Sequence, residues 1–141
     1  MGKFSPLSIT YTRKHWGAVT DTAMFVKPMF VTKDQHMTVL VSPSFLAEIL
    51  APYTFKAEKT SNKDGSISLT IKPFKVTGNG HTEVLAKKAL AADLLDYCQC
   101  FYSRYKYTEG INPKQKLFVP YVIKALCIGN KEDLADNIII K

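Results

Sequence analysis

The chain has 141 residues, 46% of them apolar and 22% charged. This suits one ordinary domain or two small ones and excludes a disordered or low-complexity protein. The formal net charge of +7 favours a polyanionic partner such as nucleic acid, an acidic protein or a membrane surface. No apolar run approaches the roughly 20 residues of a spanning helix.

The N-terminus, MGKFSPLSIT, lacks the long apolar core of a signal peptide. Pro6 stands where a myristoylation motif requires Ser or Thr. The expected location is cytoplasmic. In SITYTRKHWGAVTDTAMFVKP, Ile9 and Tyr11 alternate with Ser8 and Thr10 as in a short strand. Thr10 or Thr12 is then placed to cap a helix in which Trp16, Val19, Ala23 and Val26 recur at helical spacing. Pro28 disfavours a helical Lys27, so the helix ends just before it. This reading sets TRKH, residues 12–15, in the first helical turn. Cations there oppose the helix dipole by about 0.3–1 kcal/mol, whereas free backbone N–H groups at that end suit a phosphate, which would relieve the repulsion.

Met29 to Thr32 and Met37 to Val41 are β-rich runs, close enough to form a hairpin around the polar residues Lys33 to His36. That turn contains no glycine. Ser42 followed by Pro43 starts a helix whose apolar stripe is Phe45, Leu46, Ile49 and Leu50, and Pro52 ends it. The segment YTFKAEKTSNKDGSISLTIKPFKV alternates on both sides of Asp64-Gly65 and reads as a second hairpin. Thr77 to Gly80 reads as a loop. Thr82 caps a long helix with Glu83 in its first turn. In it Val84, Ala91, Cys98 and Tyr105 repeat every seven residues, with Leu94 and Phe101 as a second seam. Tyr97, Tyr102, Tyr105 and Tyr107 crowd its end, placed to cover the hairpin and line a subunit seam. Glu109 to Lys116 reads as a loop and Val119 to Ile128 as a helix closed by Gly129. Asn130 caps a further short helix, with Glu132 and Asp133 in its first turn. The apolar terminal residues IIIK are placed to pack against the domain or a partner.

The expected fold class is therefore α+β. A small β-α-β-β-α dimerising module, residues 1–52, precedes a β-hairpin and long-helix module, residues 53–141. No catalytic constellation emerges. His15, His36 and His81 are each isolated from any nucleophile or carboxylate at motif spacing. GNG at residues 78–80 is neither G-x-G-x-x-G nor a P-loop, and a turn is the simpler reading. Asp93 and Asp96 share a helix face without converging partners. Cys98, Cys100 and Cys127 match neither a disulfide framework nor a zinc pattern. The expectation is no enzyme, no metal and no cofactor.

Two resemblances bear on function. SITYT, the amphipathic helix, KPMFVTK and MTVLVSPSFLAEIL follow one another at residues 8–50 in an order that resembles the Phd/YefM antitoxins. YTFKAEK, DGSISLTI, GNGHTEVLAKKALAADLLDY and the later LFVPYVIKALC, within residues 53–128, look distantly similar to HicB-type antitoxins. Gly17 within the helix and the glycine-free turn after Lys33 depart from the Phd/YefM pattern.

The resemblance implies an antitoxin of a type II toxin–antitoxin system that neutralises a RelE-like ribonuclease toxin and represses its own operon. The first module would dimerise and bind operator DNA. Carried over by position, the DNA-binding residues are Thr12, Arg13, Lys14, His15 and Lys33. Antitoxins are often acidic, yet residues 53–76 hold Lys56, Lys59, Lys63, Lys72 and Lys75. Either toxin contact is mainly apolar, or the second module also touches nucleic acid. The alternative readings are a double-stranded-RNA-binding module, with Lys87 and Lys88 as its lysine cluster, and a non-enzymatic structural or phage protein.

Overall fold

The computed structural model describes residues 3–72, 74–106 and 112–141. The chain is α+β and forms two compact units, Met1–Leu46 and Ala47–Lys141. Tyr107, Glu109 and Gly110, assigned above to a helix end and a loop, lie outside the described residues.

The first unit is built on a three-stranded sheet of order β1-β2-β3. Strand β1 (Leu7–Ser8) is shorter than the sequence implies, because Ile9 already opens helix α1 (Ile9–Lys14). The Ser8 hydroxyl, rather than Thr10 or Thr12, caps that helix by accepting from the Tyr11 N–H at 3.1 Å. The expected single helix is two. His15, at φ −120° and ψ 33°, separates α1 from α2 (Trp16–Phe25). The chain then forms β2 (Met29–Lys33) and β3 (His36–Leu40), an antiparallel hairpin in which Lys33 pairs with His36. Strand β1 runs parallel to β2, with Ser8 opposite Thr32.

The two-residue turn Asp34-Gln35 needs no glycine. Asp34 takes the left-handed conformation at φ 56°, which a short polar side chain tolerates better than other non-glycine residues. Ser42 then caps α3 (Pro43–Ile49) through the Phe45 N–H at 3.1 Å.

The second unit is a four-stranded sheet of order β6-β5-β4-β7. Strands β4 (Phe55–Ser61) and β5 (Ile67–Ile71) form the expected hairpin, with Gly65 at φ 85° in its turn. The supposed loop is strand β6 (Val76–Gly80), antiparallel to β5. Its glycines are there for packing. A Cβ on Gly78 would lie 2.3 Å from the Leu90 backbone nitrogen, and one on Gly80 would lie 2.5 Å from that of Ala86. Both belong to α4 (Glu83–Arg104), capped by Thr82 as expected. Its buried stripe is Ala86, Leu90, Ala91, Leu94 and Cys98. Val84 of the expected heptad is exposed, since a straight helix repeats at 3.6 residues rather than 3.5.

Asn112 caps α5 (Pro113–Lys116), a single helical turn where a loop was expected. Helix α6 (Val119–Ile128) ends at Gly129, φ 84°, and Asn130 caps α7 (Lys131–Asp136). The terminal isoleucines form β7 (Ile138–Ile140), which pairs parallel with β4 inside the domain. Phe55, Leu69, Ile71, Leu90, Leu94, Val122 and Leu134 make the solvent-free centre of this core.

Two glycine substitutions separate packing from propensity. Gly78→Ala must push α4 off the sheet and is expected to lower unfolding free energy by at least about 1–3 kcal/mol. Gly17→Ala, on an α2 position with nothing within 4 Å of the new Cβ, is expected to raise it by about 0.5–1 kcal/mol. Urea midpoints of the full chain measure both.

Candidate nucleic-acid interface

The five residues singled out for DNA contact do not share one environment. Thr12 is 1% exposed and its hydroxyl donates to the Ser8 carbonyl at 2.8 Å. It is a core residue that ties α1 to its own cap. Arg13, Lys14 and His15 are exposed. Arg13 and Lys14 lie in the last turn of α1, not the first turn of a longer helix. The α1 dipole there favours cations, and His15 also stands as the N-cap of α2.

His15 closes α1. Its backbone N–H donates to the carbonyls of Tyr11 at 3.0 Å and Thr12 at 3.3 Å, and its own carbonyl accepts from the Val19 N–H at 2.9 Å. Its imidazole stacks on the Tyr11 ring, with centroids 4.2 Å apart. The ring therefore stands where α1 hands over to α2, held by an i,i+4 contact.

Lys33 ends β2 and is exposed. Alternation along the strand puts it on the same face as Val31, which is buried. Helices α1 and α2 cover that face. Thr32 lies opposite Ser8, the α1 cap, and its hydroxyl donates to the Leu7 carbonyl at 3.2 Å. Lys33 is thus set beside the start of α1. Arg13 to His15 lie at its other end, roughly 6–9 Å along the axis at 1.5 Å per residue. Lys33, at the end of β2, and Arg13 to His15, at the far end of α1, thus lie on the helix-covered side of the sheet near opposite ends of one short helix.

The opposite sheet face is apolar and open. Phe30 pairs across the hairpin with Val39, and Thr32 with Met37. Phe30, Val39 and Met37 are exposed, and Phe4 stands edge-on to Phe30 at 5.2 Å. Phe25 is 80% exposed and Val26 73% at the end of α2. A sequence reading shows these residues as core because periodicity reports which face is apolar, not what covers it.

No described residues form a cluster of three or more His, Cys, Asp or Glu able to hold a metal. The three cysteines are free. Cys98 is fully buried, and desolvation pushes its thiol up to about 12, which makes it a poor nucleophile and metal ligand. None of the described helices is long and apolar enough to cross a membrane.

Comparison with known proteins adds three findings. The family PHD_like, described as antitoxin of toxin-antitoxin, RelE / RelB, TA system, matches residues 3–140. A crystal structure from Syntrophomonas wolfei subsp. wolfei, described as an antitoxin part of a candidate toxin/antitoxin system, superposes with a TM-score of 0.81 at 26% identity. The match covers 98% of this chain and 99% of that one. No curated protein matches in sequence.

Thiol reactivity tests the burial assignments. Cys100, exposed on α4, is expected to react promptly with a water-soluble maleimide in the folded protein, and Cys98 only at the rate of unfolding. Peptide mapping by mass spectrometry distinguishes the two.

Proposed function

The chain belongs to this PHD_like family of antitoxins, and we propose that its first module binds operator DNA as a homodimer while its second holds the cognate toxin. In this reading residues 1–52 are the Phd/YefM-like dimerisation and DNA-binding module. Residues 53–141 are the HicB-like module that captures a RelE-like ribonuclease. DNA binding then represses the operon that encodes both proteins.

The observation that supports the DNA assignment is the exposure of Arg13, Lys14 and His15 at the end of α1 and of Lys33 at the end of β2, on one side of the small sheet. Lysines fix register through phosphates, whereas Arg13 is the member able to make a bidentate contact to a guanine edge. Thr12 takes no part, because its hydroxyl is committed inside the unit. The dimer assignment draws on the apolar face of Phe4, Phe30, Met37 and Val39, which lies on the other side of the sheet from the cations and leaves both free to act together.

A second reading draws on element order. Helix α3, strands β4, β5 and β6, and helix α4 follow in the α-β-β-β-α sequence of a double-stranded-RNA-binding domain, with Lys87 half-buried and Lys88 exposed near the start of α4. Deleting residues 1–42 separates the two. Antitoxin function predicts loss of DNA binding with toxin binding retained, and the RNA reading predicts duplex RNA binding that survives.

Arg13→Ala with Lys33→Ala is expected to abolish the operator gel shift at moderate salt and leave toxin neutralisation intact. At lower salt it is expected to flatten the log–log salt dependence of affinity by about 2, near one unit for each phosphate that is no longer neutralised. Unchanged affinity would remove these residues from the interface. Wild-type protein is expected to sediment as a dimer at micromolar concentration and Phe30→Lys as a monomer; a monomeric wild type would end the dimer assignment.

A further inference from the structure

The second unit carries a cleft of about 320 Å3 lined by Thr54, Lys56, Glu58, Lys72, Tyr121 and Lys141, with Pro52 at its edge. We propose that this cleft binds a phosphate monoester or inorganic phosphate, independently of the DNA-binding edge on the first unit.

Strand register builds the cleft. Phe55 and Ala57 point into the core, so Lys56 and Glu58 face outward on β4. Ala57 pairs with Ile71 on antiparallel β5 and with Ile140 on parallel β7. One further step sets Lys56 opposite Lys72, and Glu58 beside Lys141. Like charges directly opposite on one sheet face are destabilising. Lys72 turns away to Glu58 at 3.2 Å, but both side chains are more than half exposed, and such a pair contributes little. Three lysine side chains stand against Glu58 and the α-carboxylate that Lys141 carries as the last residue, an excess of one positive charge. A bound anion would offset the repulsion that the register imposes.

Charge and geometry select the anion. A phosphate monoester carries about −1.5 to −2 at pH 7, enough to engage Lys56 and Lys72 together. No arginine lines the cleft, so planar bidentate recognition of a carboxylate is not built in. Lysines act as point charges toward tetrahedral phosphate oxygens, and Thr54 and Tyr121 supply hydroxyl groups.

The wall is fixed. The Tyr121 ring stands edge-on to Tyr53 at 5.4 Å and to Phe74 at 5.5 Å. Lys124, only 8% exposed, sends its ammonium back to the Tyr53 carbonyl at 2.9 Å and lies over the Phe55 ring. Tyr53 sits between Pro52 and Thr54, so this bond from α6 pins the segment that forms the cleft edge.

The test titrates the full-length protein in chloride buffer with inorganic phosphate, with 5′-AMP and with a 5′-hydroxyl oligonucleotide, by calorimetry and by amide chemical-shift mapping. One saturable site for phosphate or AMP per chain is expected, with shifts centred on residues 52–58 and 121. Tighter AMP binding identifies a nucleotide as the source, and equal binding identifies free phosphate. Lys56→Gln with Lys72→Gln is expected to weaken binding by about tenfold or more, as loss of two charge-assisted contacts requires. Lys63→Gln with Lys75→Gln, outside the cleft, is expected to leave it unchanged. The proposal is overturned if neither anion saturates, if both double variants weaken binding equally, or if only the oligonucleotide perturbs the cleft. Shift mapping on the unaltered protein decides the matter even where a variant folds poorly.

Discussion

Everything in the larger unit depends on how closely the backbone of α4 approaches strand β6. Gly78 and Gly80 lie two residues apart and present the same strand face to the helix, leaving no room for a Cβ at either position. That approach seats Ala86 and Leu90 against the sheet and leaves Ala91, Leu94 and Cys98 in the same buried core. With one helix covering so much of the sheet, α6 and α7 need only complete the layer. Val122 and Ala125 do so from α6, and Leu134 and Ala135 from α7. The parallel β7 then closes the far side of β4.

Committing one sheet face to α4 leaves the other to water, and its side chains show it. Hydroxyl and amide groups bond across the strands, Thr70 to Thr77 and Ser68 to Asn79, with Asn62 joining from the hairpin turn. This ladder satisfies its own polar groups and carries no charge. On this face Lys56, Lys72 and Lys141 stand together at one end of the sheet. A basic composition spread evenly would indicate solubility alone. Segregation of a neutral ladder from the lysine-lined end is what the proposed anion site rests on.

Much of this was legible in the sequence where a local rule acts alone. Ser42, Thr82 and Asn130 cap helices as hydroxyl and amide residues should, and Asp64-Gly65 turns the hairpin. The failures occur where a distant contact decides. GNG looks like a loop because glycine weakens a strand, and only the presence of α4 explains why glycine is required there. TRKH looks like a helix start because the sequence does not announce the break at His15. Thr12 looks like a surface hydroxyl because nothing local shows that its oxygen serves the Ser8 carbonyl. Of the five DNA candidates, four occupy exposed positions on one side; the fifth, Thr12, rested on resemblance by position with no physical reason of its own.

The smaller unit poses the opposite problem from the larger one. It spans 46 residues, near the size at which a single core is marginal, and its buried side chains are Thr12, Val19, Ala23 and Val31. Phe30, Met37, Val39 and Phe25 stay in water, an apolar exposure that favours association. In the proposed reading a second copy covers the Phe30 face, and the cations stay on the helix side. Stability and recognition then occupy opposite faces of the same three strands. In that reading the hairpin β2–β3 links them: its outward residues would meet the partner copy, while Lys33, one position out of phase, would join the basic edge. A one-residue slip of that hairpin would exchange the two faces. The tight turn at Asp34-Gln35, with no extra residue and no glycine to loosen it, is the element that holds the register.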